Sequence, residues 1–308
     1  MLLLLSSCNH KDLIYSDRAS VAVSFDWTDY PDASPEVMRV AVFTDNVQPI
    51  LHPFANKQGG NIDLYKGYTY SFIAFNGDAE TVITSGSTYD DFQFDCTPTE
   101  LASFAPMFIT HRAGESKIPR AQGTETLPVV SEPDPMWYST ASDISIRGSQ
   151  TINMLMHSAI TYYTFTVKNV ENMSNVSAIA ATISGMAPSF SPSLGRCTNS
   201  RCIIPFTMDA SGETELKGTL RTFGYFPTPE QTEETKKMLV IYVELADGRK
   251  IYYTFDVTEP IITAGSEPGS TDVDIVLEQL PIPKPLYNGS GLHPTVDGWQ
   301  EVEIGIDL

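Results

Sequence analysis

The residues with the most chemistry to offer are few and scattered. Of the four cysteines, Cys8 stands out by its setting: the leucine run Leu2 to Leu5, then Ser6 and Ser7, then the thiol. An apolar stretch can enter a membrane, and small side chains at its end suit a peptidase cut. Cys8 follows directly as a candidate for modification, a reading that rests on the resemblance given below, the alternative being an ordinary apolar stub with an unrelated cysteine. Cys197 and Cys202 flank the polar segment Thr198-Asn199-Ser200-Arg201, which suits a turn. They are a candidate local disulfide, two free thiols, or a metal half-site. The metal reading is poor, because no second Cys or His pair lies nearby to complete four ligands. Cys96 has no obvious partner and reads as an isolated buried thiol.

The five histidines, His10, His52, His111, His157 and His293, show neither the spacing of a helical zinc motif nor a Gly-x-Ser-x-Gly elbow. No glycine loop fit to cradle a phosphate is found. Carboxylate pairs such as Asp90-Asp91 or Asp272 with Asp274 have the chemistry for calcium or for a glycosidase. Solvated charges on loops and strand faces explain them better. The reading is of a protein that is not an enzyme, with no metal and no cofactor. Trp27, Trp137 and Trp299 raise sugar stacking. Trp27 is in phase with Val21, Val23 and Phe25 and so faces a core, while Trp137 and Trp299 sit near Gly/Pro-rich segments that can be open.

The chain carries 19 Lys+Arg against 38 Asp+Glu, a net charge of −19. A nucleic-acid binder needs a basic footprint, so that class is excluded. The acidity is spread without long blocks, which reads as a solubilising surface. With 308 residues, 42% of them hydrophobic, the chain can bury a core of two domains. Beyond Leu5 nothing approaches the ~18 apolar residues of a membrane-spanning helix. Any membrane link must then pass through Cys8.

From Arg18 the pattern is β throughout. Val21, Val23, Phe25 and Trp27 alternate with Ala22, Ser24 and Asp26, the period of a strand with one buried face. Tyr68 to Phe75 is apolar on both faces, as a central strand would be. Residues 111–135 read as a long excursion punctuated by Gly and Pro, with Val129-Val130 a short strand. Lys237 to Leu245 and Lys250 to Val257 meet across Ala246-Asp247-Gly248-Arg249, where Asp-Gly supplies the positive φ of a hairpin turn. Val302, Ile304, Ile306 and Leu308 alternate strictly at the end. Helical signals are nearly absent. The expectation is an all-β protein of two tandem β-sandwiches, 18–148 and 149–308, after a truncated signal and tether at 1–17.

These features together resemble a known family. The Leu-Ser-Ser-Cys lead resembles a lipoprotein lipobox. With it, the strand Val-Ala-Val-Ser-Phe-Asp-Trp at 21–27, Ser184-Gly185-Met186, the Asp-Gly hairpin and the closing Val-Asp-Gly-Trp-Gln-Glu-Val-Glu-Ile resemble the fimbrium anchor subunits and fimbrillin-like lipoproteins of Bacteroidales. The resemblance implies transthyretin-like sandwiches and a lipoprotein acylated at Cys8 on the outer membrane. It also implies fimbrial subunits as partners and a role in adhesion and biofilm. In such filaments an extended segment of one chain completes an open sheet of the next. Val302, Ile304, Ile306 and Leu308 are the candidate donor strand, or a strand paired within its own domain. The rival reading is a glycan-binding surface lipoprotein of a polysaccharide-uptake system.

Overall fold

The computed structural model describes residues 17–44, 47–108, 117–227, 235–265, 273–284 and 298–302. Their strands form two pairs of sheets and a smaller sheet that joins them. The first pair is built on the alternating segment at the start. β1 (Arg18–Asp26) lies between β4 (Gly59–Tyr65), antiparallel, and β9 (Gln150–Leu155), parallel. Facing it is a sheet of five strands in the order β10 (His157–Ser158), β8 (Trp137–Ser145), β5 (Thr69–Asn76), β2 (Met38–Thr44) and β3 (Val47–Phe54). Val21, Val23 and Phe25 of β1 pack with Val40, Val42 and Phe72 between the sheets. Each such side chain taken from water contributes about 1.5–3 kcal/mol.

β2 and β5 are also buried on their second face, as the apolar run from Tyr68 to Phe75 requires. Ala41, Phe43, Ile73 and Phe75 join the largest core. The cover on that face is the joining sheet: β6 (Val82–Ser85), β7 (Gln93–Cys96), β14 (Ser189–Ser191) and β15 (Arg196–Cys197). Its two halves come from opposite halves of the sequence, through the pairs Ser189 with Asp95 and Phe190 with Phe94.

The second pair of sheets holds the rest of that core. One sheet runs β17 (Asp209–Ala210), β18 (Leu216–Thr222), β11 (Thr161–Val167), β21 (Val273–Leu277). The other runs β16 (Cys202–Phe206), β13 (Val176–Met186), β19 (Met238–Leu245), β20 (Lys250–Asp256), β23 (Trp299–Glu301). A two-residue pair, β12 (Val170–Glu171) with β22 (Leu280–Pro281), flanks them. Among the described residues the helical elements are short, such as α1 (Leu101–Phe104), α2 (Thr258–Ala264) and the 3-10 turns at Pro106–Phe108 and Met173–Asn175. The all-β sandwich expectation holds.

Two local features follow from residue type. The β19–β20 hairpin turns where Asp247-Gly248 stands, with Gly248 at φ +82° and its N–H bonded to the Leu245 carbonyl at 2.8 Å. At Gly185, φ is +81° and β13 shifts register against β16; a Cβ there would lie 2.5 Å from the Lys236 carbonyl oxygen. Only glycine fits that approach.

The expected break at Gly148-Ser149 is the bend between β8 and β9. Beyond it, β9 pairs with β1 and β10 with β8, so strands as late as Ser158 complete the first pair of sheets. The excursion after β7 likewise crosses over. Met107, Phe108 and Ala121 pack on Ala180, Val240 and Tyr242, which form the outer face of the second unit. Val129 bridges to Ile203 and Val130 to Pro98.

Candidate functional site

The end of the chain is the place where the sequence proposed an assembly function, and part of it is described. β23 adds to the free edge of β20 in parallel, pairing Trp299 with Lys250 and Glu301 with Tyr252. The Val302 N–H continues the ladder to the Tyr252 carbonyl at 3.0 Å, and the half-buried Val302 packs against the main core. Ile304, Ile306 and Leu308 lie outside the described residues. The edge is held by an aromatic group: Trp299 lies 5.2 Å from Tyr242 and 5.8 Å from Phe108, and the last two meet edge-on at 4.9 Å. Such pairs contribute about 0.5–1.5 kcal/mol beyond their buried area. Burial pushes the Tyr242 hydroxyl up to about 12, and it donates to the Pro119 carbonyl at 2.7 Å. The Tyr252 hydroxyl donates to Glu301 Oε2 at 3.0 Å, and burial, followed by that carboxylate, raises its pKa. Among the described residues, the β20 edge is occupied by a three-residue strand of the same chain.

The cysteines divide. Cys8 lies outside the described residues. Cys96, Cys197 and Cys202 are buried free thiols. Cys197 ends β15 in the joining sheet and Cys202 opens β16 in the second unit, where its thiol donates to the Met186 carbonyl at 3.2 Å. The local bridge between Cys197 and Cys202 is thus not formed in this structure. Burial raises all three thiols, Cys197 to about 11, so none has the thiolate character of a reactive cysteine.

Trp27 is buried, as its phase requires, and donates Nε1–H to the Lys57 carbonyl at 2.7 Å. Trp137 meets it edge-on at 6.0 Å and is half-buried, as is Trp299. Both rings proposed for sugar stacking therefore spend much of their surface on packing. Asp91 accepts the backbone N–H groups of Ser87 and Thr88, which hold its carboxyl below the usual range and give it a loop-forming task. Asp272 lies outside the described residues, as do His10, His111 and His293. Among the described residues no cluster of three or more His, Cys, Asp and Glu has the geometry of a metal site. His52, on the edge strand β3, is held below its usual pKa by burial. A cleft of about 650 Å³ between β2, β5 and the loop before β7 gathers Thr44, Ser71, Tyr89, Asp90 and Asp143, a mix of hydroxyls, acids and one ring.

Sequence reasoning missed two groups. Asp247 and Arg249, read only as turn residues, form a buried ion pair at 2.8 Å. Tyr65, Tyr68 and Tyr70 form a ladder with Arg18; the signal available was a Tyr-x-x-Tyr-x-Tyr spacing across the Lys66-Gly67 turn.

No helix among the described residues is long and apolar enough to cross a membrane. No curated protein matches the chain in sequence. Among solved structures, a proposed adhesin from Bacteroides ovatus is similar in fold, with a TM-score of 0.65 at 20% identity, over 92% of this chain and 100% of that one. The fimbrial anchor protein Mfa2 from Porphyromonas gingivalis follows, with a TM-score of 0.51 at 13% identity, over 84% and 90%. These likenesses extend the sandwich fold across nearly the whole chain. A family model described as a domain of unknown function, DUF5119, matches residues 7–208, more than half of the sequence, and the chain belongs to that family.

Proposed function

We propose that this chain is a cell-surface lipoprotein of the outer membrane that anchors a fimbrium or forms part of one, in the service of adhesion and biofilm structure. The observation that supports this most is the fold itself. A similar fold, over most of the chain, is found in a proposed adhesin and in a fimbrial anchor. The action is mechanical and not catalytic. A signal peptide is removed, acyl groups such as palmitate on Cys8 hold one end in the membrane, and the β-units beyond the 1–17 tether grip a fimbrial subunit. One acyl chain gives only marginal membrane binding, so a durable hold needs a second attachment. We divide the two units after Ser158, where the first pair of sheets closes.

Changing Cys8→Ala in the host should move the protein from the membrane pellet to the soluble fraction. Its persistence in the pellet would sink the lipid-anchor reading. Deleting residues 301–308 removes the Val302 ladder bond and the alternating tail. The donor-strand reading expects filament association to vanish while thermal stability stays close to that of the full chain. Global unfolding of the deletion variant would instead make the tail a strand of its own domain.

A further inference from the structure

The first unit ends, on the side where the chain enters it, in an aromatic and cationic cluster open to water. β4 closes on Tyr65 and, after the Lys66-Gly67 turn, Tyr68 precedes β5; these tyrosines are 50% and 58% exposed. Their ring centres lie 6.4 Å apart, and Tyr70 continues the ladder at another 6.4 Å. The Arg18 guanidinium lies over the Tyr65 ring at 4.5 Å and donates Nη2–H to its hydroxyl at 3.0 Å. Main-chain bonds fix the surroundings. The Lys66 N–H meets the Asp17 carbonyl at 2.8 Å, and the Gly67 N–H meets that of Ile146 at 2.8 Å. Arg147 therefore stands beside the same turn. Arg18, Lys66 and Arg147 are all exposed; among the described residues the acids at this turn include Asp63, which faces Arg18, and Asp17, next to it in the chain.

Tyrosine has an apolar body and a polar tip, which suits the level of lipid headgroups, and cations there are drawn to an anionic surface. The rest of the chain brings the net charge to −19 and is repelled by the same surface. Repulsion of the body and attraction of one end together select a single orientation. Position selects the occupant. Cys8 and Asp17 are nine positions apart, a reach of at most about 30 Å, so this end is the one tied closest to an acylated Cys8.

We propose that Tyr65, Tyr68 and Arg18, with Lys66 and Arg147, form a membrane-contact surface that seats the first unit on the anionic lipid headgroups of the membrane holding Cys8. The orientation rests on the lipid-anchor reading, and the surface supplies the second attachment that one acyl chain lacks.

The test uses the full chain carrying Cys8→Ala, sedimented with vesicles of phosphatidylethanolamine and phosphatidylglycerol, and with vesicles of phosphatidylcholine alone. The anionic vesicles should pellet the protein, and Tyr65→Ser with Tyr68→Ser should weaken this by about tenfold. Arg18→Gln, Lys66→Gln and Arg147→Gln combined should weaken it by a similar factor, as should high salt. All five side chains are exposed or partly so, and circular dichroism would verify that the variants remain folded. No pelleting up to about 5 mM anionic lipid overturns the proposal, since even a single acyl chain is detected at that level. Undiminished binding by the variants, or equal binding to phosphatidylcholine, also overturns it. Acylation of Cys8 is read separately, by the mass of the N-terminal peptide from host membranes, so the failure of one reading is not mistaken for the failure of the other.

Discussion

Replacing Phe94 with alanine should lower the free energy of unfolding by about 3–5 kcal/mol. Phe94 is fully buried in β7, in the sheet shared by the two halves. It lies parallel to and offset from Phe190, ring centres 6.4 Å apart, and tilts against Phe75 at 5.4 Å. Phe92 and Tyr138 meet it edge-on at 6.1 and 6.4 Å. Removing the ring opens a cavity whose walls are aromatic and belong to two different sheets and the loop before β7, so they cannot close by the shift of one loop. Urea unfolding of the two proteins measures the difference. Phe94→Leu, which keeps most of the volume, should cost clearly less. A loss below about 1 kcal/mol for Phe94→Ala would mean that the joining sheet is far more yielding than its packing implies.

A comparable loss, about 3–5 kcal/mol, is expected for Asp247→Ala at the tip of the β19–β20 hairpin. Asp247 Oδ2 accepts the Arg249 Nε–H at 2.8 Å, its Oδ1 accepts the Arg249 backbone N–H at 3.1 Å, and both side chains are buried. The guanidinium also donates Nη2–H to the Lys284 carbonyl at 2.7 Å, tying the hairpin tip to the segment after β22. Alanine leaves the arginine buried with its charge uncompensated, which is far costlier than the pair is stabilising. The double change Asp247→Ala with Arg249→Leu should therefore recover much of the loss. If the double variant is no more stable than the single one, the penalty comes from the turn backbone and not from the stranded charge.

The legible part of the fold was the part written locally. β1 shows its buried face as a period of two, and β5 announces itself as a central strand by being apolar on both faces. The Asp247-Gly248 hairpin needs only a glycine at positive φ and two apolar runs. What was hidden depends on partners far away in sequence. β9 lies parallel to β1, and a parallel pair leaves no turn signature between its strands. The bend at Gly148-Ser149 was read as a boundary because the residues that break a strand are the same in a turn and in a linker. That β6, β7, β14 and β15 share one sheet shows only once the halves meet. α2 escaped for another reason. Its signals, Glu259-Pro260 in the first turn and Gly265 as the stop, are brief. At the candidate sites, residue type singles out Cys8 and the alternating tail only as candidates, whereas the tyrosine ladder and the Asp247–Arg249 pair depend on which loops come together.

The joining sheet has a consequence for force. A hinge requires a seam that few contacts cross. Here the seam is itself a sheet, with the Phe94–Phe190 stack behind its Ser189–Asp95 and Phe190–Phe94 pairs. The chain also crosses a second time, where Phe108 packs beneath Tyr242. Tension between the two ends cannot be relieved by swinging one half away. It must break backbone hydrogen bonds and wet an aromatic layer in the same event, which favours one cooperative yield over a gradual swing.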